Sequence, residues 1–396
     1  MRVAIISPLP PASTGIADYA VDVARALAPA HEVELFHDQP AVAPNLPGPA
    51  RPIGELPARV AARGYDLIAY QMGNAPAHDF MYDWMPRVPG VVVLHDLVLH
   101  AFARRYLQSE AALAYAADPS SAVRRDAARA ALGAYRDAVE AAHPGLADRL
   151  LDAHLNTTGD LLSYAYPMFE PALVHARAVA AHNGFMLDAV RAARPDLKGS
   201  LLVMPVEAEP VDSRVVTALR ERFGIPEGAP VVGCFGLVTR EKRIDSVARA
   251  VARLMPLHPD LRLLLAGPVA DDGWLRDLLE RAGFGSRTIV TGRLEANEFA
   301  AAMELAHVVV QLRYPTARET SAAILRVMAQ GRPLVVADIA NQAEIPDDAV
   351  LRVDLADEEG GLARGLDRLL RDPAAARALG AAAARVAREH HSPDRA

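Results

Sequence analysis

Four short polar segments of this sequence carry side chains suited to a phosphorylated, hydroxyl-rich ligand, and each sits where an apolar run ends or a helix begins. The first is Thr14-Gly15-Ile16-Ala17-Asp18-Tyr19. A glycine at a helix start lets backbone amides approach an anion that the helix dipole also favours, although an ordinary turn fits the same residues. The second is His95-Asp96-Leu97-Val98-Leu99-His100, whose imidazoles and carboxylate can bind hydroxyl groups, shuttle protons, or form structural hydrogen bonds. Gln71-Met72-Gly73-Asn74 with His78 admits the same readings. A metal on His95 and His100 lacks further ligands nearby in sequence. The third segment, Gly236-Leu237-Val238-Thr239-Arg240-Glu241-Lys242-Arg243, places cations where they can meet phosphates, a solvated charge run being the alternative. The fourth runs from Arg313 to Ser321 and precedes a helix whose first-turn amides can hold a diphosphate, with Glu319 accepting from hydroxyls. Thr320 or Ser321 can cap that same helix, and the two roles are compatible.

Elements that position such loops are legible around them. Apolar runs at Val3–Ser7, Glu32–Phe36, Leu67–Gln71 and Val91–Leu94 read as strands, the last without polar alternation as expected for a strand covered on both faces. A helix is expected over Ile16–Leu27, and Val174–Ala181 reads as a further strand region. From His100 to about Leu155 an Ala-rich stretch, broken at Asp118-Pro119 and His143-Pro144-Gly145, predicts a helical insertion with either a structural or a ligand-facing role. After Met204-Pro205-Val206 the alternation restarts. Strands are expected at Val231–Gly236, Leu261–Ala266, Thr288–Thr291, Val308–Leu312 and Pro333–Ala337, with helices at Ile244–Leu254, Gly273–Arg281, Ala296–Leu305 and Ser321–Ala329. Strand and helix in turn imply an α/β chain of two Rossmann-like domains, 1–205 and 206–396, facing a cleft, with the helical insertion in the first. Ligands of such sheets bind at the carboxyl ends of the strands, where all four segments fall.

Composition narrows the function classes. With 396 residues, two domains are expected. A formal charge of -7 argues against nucleic-acid binding, which needs an excess of clustered cations. The single cysteine, Cys234, excludes an internal disulfide and reads as core packing. No apolar run approaches the roughly 20 residues of a membrane span, and the N-terminal run is too short for a signal peptide, so a cytoplasmic protein is expected.

Taken in order, Gly15, His95-Asp96, Gly236 with Lys242, and Met328-Ala329-Gln330-Gly331-Arg332-Pro333-Leu334-Val335-Val336 resemble the motif series of the family-four retaining glycosyltransferases of GT-B fold, over nearly the whole chain. The resemblance implies transfer of a hexose from a nucleotide-diphosphate sugar to an acceptor hydroxyl with retention, without a metal or other cofactor. It implies catalytic roles for His95, Glu319 and Lys242. Donor binding would fall to Gly15, Gly236, Arg240, Arg243, Thr320, Ser321, Arg326, Gly292 and Arg293, and acceptor binding to Asp18, Tyr19, Asn74, His78, Asp96 and His100. The acceptor, whether glycan, lipid-linked or small molecule, is not specified. Two departures stand out. Leu237 occupies the place of the family's phosphate-loop arginine, so Arg240 or Arg243 is expected to supply that charge. Arg326 stands where the family's second, ribose-binding glutamate is found, and Glu319 matches the first with a one-residue shift. A GT-B epimerase, a phosphorylase and a noncatalytic sugar-nucleotide-binding subunit share the plan. The chain's end at Ala396 suggests an abbreviated terminal helix.

Overall fold

The computed structural model describes residues 1–12, 14–100, 110–156 and 161–393. Ser13 of the first loop, residues 101–109 of the expected helical insertion and the last three residues lie outside that set. The chain divides into two compact units, Met1–Leu202 with Ala317–Thr320, and Val203–Thr316 with Ser321–Ala396.

The first unit is built on seven parallel strands: β1 (Arg2–Ile6), β2 (Glu32–His37), β3 (Ala50–Pro52), β4 (Leu67–Met72), β5 (Val91–Leu94), β6 (Ala178–Ala181) and β7 (Gly199–Leu201), in the order β3-β2-β1-β4-β5-β6-β7. Ile5 of β1 lies level with Leu35 on one side and Ala69 on the other, so the β-branched strand is buried at the centre. The order reverses between β1 and β4, which opens a crevice at their carboxyl ends. The expected strand over 174–181 begins only at Ala178. Pro171 instead starts a short helix, Glu170–Leu173, and Val174 is exposed. Of the Ala-rich stretch, the described part forms helices Glu110–Ala117, Ala122–Ala131, Gly133–Ala142 and Ala147–Asn156. These bury a core of their own around Tyr115, Tyr135, Val139 and Leu151.

A buried carboxylate ties β2 to the helix Leu56–Arg63. Glu34 is 3% exposed and accepts from Arg59, Tyr65 and Arg63, with the Arg51 guanidinium 3.5 Å away. Burial pushes its pKa up, but the hydrogen bonds from Arg59 and Tyr65 and the charges of Arg59 and Arg51 outweigh this and hold the carboxyl below its usual range. Glu34→Gln would leave Arg59 without its anion, while Arg63 and Arg51 would keep only Glu32 and Glu55. The partners keep some solvent, so a loss of about 2 kcal/mol in the unfolding free energy of this unit is expected. Thermal denaturation should show a drop of several degrees, and an unchanged midpoint would contradict the assignment.

The second unit has six parallel strands: β8 (Val231–Phe235), β9 (Arg262–Ala266), β10 (Thr288–Val290), β11 (Val308–Gln311), β12 (Leu334–Ala337) and β13 (Leu351–Val353), in the order β10-β9-β8-β11-β12-β13. This is the 3-2-1-4-5-6 order of a dinucleotide-binding fold. All five residues of β8 are buried, and Cys234 packs among Val232, Leu263, Val310 and Val335. Burial pushes its thiol up to about 12, in keeping with a packing role. Helices Ile244–Leu254, Glu358–Arg371 and Pro373–His391 cover the sheet. No helix among the described residues is long and apolar enough to cross a membrane.

Candidate active site

In the first unit, loops after β4, β5 and β6 converge on one cluster. His95, directly after β5, is 6% exposed and bonds through Nε2 to Gln71 Oε1 at 2.8 Å, a contact in which the imidazole donates. His78 holds the carbonyl of Gln71 at 2.9 Å through Nδ1. The Asn74 backbone N–H donates to Asp96 Oδ2 at 2.9 Å. Gly73 makes this closeness possible, since a Cβ there would meet Ile16 Cδ1 at 2.1 Å and Asp96 Oδ2 and His78 Nε2 at 3.3 Å. Tyr19 sets its ring edge-on to His95, with centroids 4.7 Å apart, and to His182, at 5.2 Å. Tyr19, Asn74, His78, His95 and Asp96 are thus brought together. Asp18 is exposed on the first turn of the helix Gly15–Leu27, and Gly15 begins that helix behind the Thr14 cap, with open space where a side chain would stand. His100 is bonded to the Tyr166 carbonyl and lies against Tyr135, which places it with the helical layer.

Sequence reasoning missed His182 and Asn183, both buried. The His182 ring lies tilted against His95, with centroids 4.8 Å apart, and holds the Leu202 carbonyl at 3.0 Å through Nδ1. The signal was present: a polar dipeptide follows the apolar run of β6 just as His95-Asp96 follows β5. Glu319 and Thr320 belong to the Ala317–Thr320 segment of this unit, where Glu319 is half-buried.

Burial lowers the pKa of His95 well below its ordinary value, aided by the neighbouring His182 and His78, and pushes His78 down to about 4 despite its bond to Gln71. Both rings are therefore neutral at pH 7. In the unfolded chain each binds a proton near pH 6.5, so between pH 6.5 and about 4 the unfolded state holds more protons and stability falls as pH falls. For His78 the full effect is about 3 kcal/mol. Unfolding free energies of the native protein and His78→Asn, measured from pH 7 to 4.5, should show a shallower acid slope in the variant. Parallel slopes would refute the assignment.

In the second unit, Gly236 follows β8 at φ 86° and a Cβ there would lie 2.9 Å from Lys242 Nζ. The ammonium of Lys242 donates to the Phe235 carbonyl, which also accepts from Gln311 Nε2 at 3.0 Å. Lys242 is 7% exposed. The loop is tied to its neighbour by the Tyr314 N–H, which donates to the Glu241 carbonyl at 2.7 Å. Of the two arginines expected to replace the charge missing at Leu237, Arg243 is committed to Glu358, with three bonds of 2.6 to 3.0 Å, and Ser246 Oγ donates to the same carboxylate. Its guanidinium is thus held against the Glu358 carboxylate. Arg240 lies over the Trp274 ring at 4.8 Å and pairs with Asp271 at 3.2 Å, on an exposed surface. Ser321 caps the helix Ala322–Ala329, accepting from the Ile324 N–H at 3.4 Å, while Arg326 is exposed on that helix. Gly292, at φ 66°, and the exposed Arg293 form a turn after β10. Among the described residues no three His, Cys, Asp or Glu are grouped to hold a metal ion.

Residues 229–372 match the model of the family described as Glycosyl transferases group 1. The chain is 28% identical over 170 residues to a 2-deoxystreptamine glucosyltransferase of Streptomyces kanamyceticus, across 42% of this chain and 43% of that protein. It is 30% identical over 178 residues to a D-inositol 3-phosphate glycosyltransferase of Stackebrandtia nassauensis, across 41% and 40%. It therefore spans less than half the length of the curated relatives it matches. Among solved structures it is similar to sucrose-phosphate synthase from Thermosynechococcus elongatus (TM-score 0.66, 18% identity, 100% of this chain and 96% of that one). Anabaena HepE in complex with UDP-glucose gives a TM-score of 0.66 at 16% identity, with the same coverage. A glycosyltransferase from Rickettsia africae gives 0.68 at 11%, over 99% and 94%. The chain thus has the GT-B fold, and its residues 229–372 are similar to the group 1 glycosyl transferases.

Proposed function

We propose that this protein is a retaining glycosyltransferase that moves a hexose from a nucleotide-diphosphate sugar to an acceptor hydroxyl. The observation that carries the reading is the Gly236–Arg243 loop at the strand-order reversal of the second sheet, which holds the Lys242 ammonium in a buried, backbone-lined position. Departure of a nucleoside diphosphate develops negative charge on its phosphates, and a fixed cation with helix-end amides stabilises that charge. Lys242 and the first-turn amides of the helix Ala322–Ala329 have these properties. The neutral His95, with Tyr19, Asn74, His78 and Asp96 around it, offers donors and acceptors for hydroxyl groups, and Glu319 a carboxylate for the sugar. In this reading the departing phosphate takes the acceptor proton on the same face of the sugar, so no enzymic nucleophile is required. The fold neighbour bound to UDP-glucose and the relative named as a glucosyltransferase support UDP-hexoses as the first donors to try.

A thermal-shift series with UDP-, GDP-, ADP- and dTDP-sugars tests donor binding. At a ligand concentration of about 100 times Kd the native state gains about 2.7 kcal/mol, a rise of roughly 5 to 10 °C. Absence of a shift with every nucleotide sugar would sink the reading.

A further inference from the structure

Asn183 makes more contacts than a helix cap requires. Its Oδ1 accepts the Met186 N–H at 2.8 Å and so caps the helix Gly184–Ala193. Its Nδ2 forks, donating to the Arg318 carbonyl and to Thr320 Oγ1, both at 3.0 Å. These two acceptors flank Glu319. Thr320 Oγ1 in turn donates to the His182 carbonyl at 3.2 Å, and the Leu97 N–H holds the Ala317 carbonyl at 2.9 Å. Arg318 sits at φ 63°, a left-handed conformation that an arginine does not adopt without support, and its guanidinium lies 5.3 Å over the Phe185 ring. The Ala317–Thr320 backbone is therefore pinned at both ends within the first unit.

We propose that Asn183 is a positioning residue, whose amide couples the cap of the helix Gly184–Ala193 to the segment that aims Glu319. The inference rests on the functional role given to Glu319 above. Asparagine suits the position because Ser or Asp would cap the helix equally well, yet only the amide adds two N–H donors to its acceptor oxygen. Asn183→Asp keeps the cap and turns the donor arm into an oxygen facing the Arg318 carbonyl. Thr320→Val removes the second anchor from the other side.

Two measurements on the full chain decide the matter. Amide hydrogen exchange at Arg318–Thr320 is expected to quicken at least tenfold in both variants, while the helix Gly184–Ala193 keeps its protection in Asn183→Asp. Turnover of the nucleotide sugar that gives a thermal shift is expected to fall about tenfold in Asn183→Asp with its KM nearly unchanged, and the loss should vanish in a Glu319→Ala background. Unchanged exchange would overturn the positioning role whatever the activity. Quickened exchange with full turnover, or losses that add in the double variant, would overturn the link to Glu319. If the unaltered protein turned over no donor, the glycosyltransferase reading would fail, and the exchange result would still decide what Asn183 holds.

Discussion

Lys242→Met is expected to lower turnover of the donor sugar nucleotide by 10²- to 10³-fold while leaving the fold in place. The methionine keeps most of the apolar stem and removes the ammonium, so the change isolates charge. Little stability should be lost, because the Phe235 carbonyl still accepts from Gln311 Nε2 at 3.0 Å. The rate effect follows from the size of a fixed charge in a water-poor site, where removing one donor to a developing anion costs about 3 to 4 kcal/mol of transition-state stabilisation. Turnover within threefold of the native protein, with a melting temperature that shows the variant folded, would remove Lys242 from the chemistry. A matching loss in kcat with little change in KM would locate its contribution in the transition state.

Gly267→Ala should be strongly destabilising in the second unit. Gly267 directly follows β9 at φ 154°, and a Cβ there would lie 2.3 Å from the Gly236 carbonyl oxygen and 2.6 Å from its carbon. Both obstacles are backbone, so no side chain can turn aside. Gly236 is in turn held by its N–H bond to the Ala266 carbonyl at 2.9 Å, and the following residue pair is tied by the Val238 N–H to the Pro268 carbonyl at 2.8 Å. A methyl group at 267 must therefore push the Gly236 loop away from β9. Overpacking and an unfavourable φ together should cost on the order of 3 kcal/mol. Denaturant unfolding would read this as a lowered midpoint, and nucleotide-sugar binding should weaken with it because the displaced loop carries Lys242. A variant of native stability and native binding would show that the approach of the two loops is not needed.

Lys242 and the Gly236 loop that carries it also differ from the rest of the site in being marked locally in the sequence. Gly236 and Lys242 were legible because a glycine after a β-branched run and a cation before a helix are local features, and strand periodicity placed them at a carboxyl edge. The same periodicity located β1, β2, β4, β5 and the principal strands and helices from β8 to β12 to within a residue or two. It missed β3, β7 and β13, short strands without an apolar run of their own, and among the helices Leu56–Arg63, Gly184–Ala193, Ser213–Arg222, Glu358–Arg371 and Pro373–His391. His95, Asp96, Asn74 and His78 could be named singly, yet nothing local stated that the Tyr19 and His182 rings would pack against His95.

What sequence alone determined, then, was everything governed by near neighbours: two rounds of alternating strand and helix, a cap at Thr320 or Ser321, and the polar residues that must emerge where a buried strand stops. What tertiary structure decided was how charge and hydrogen bonds were matched over long separations. Arg243 and Glu358 are 115 residues apart, and Asn183 and Thr320 are 137 apart, so neither pairing leaves a mark in local spacing. Yet the first sets the Arg243 guanidinium against a carboxylate and the second pins the segment bearing Glu319. The physical reason is that a buried polar group takes whichever partner the packed chain brings within about 3 Å, and that choice is made by the assembled sheet rather than by the residues on either side.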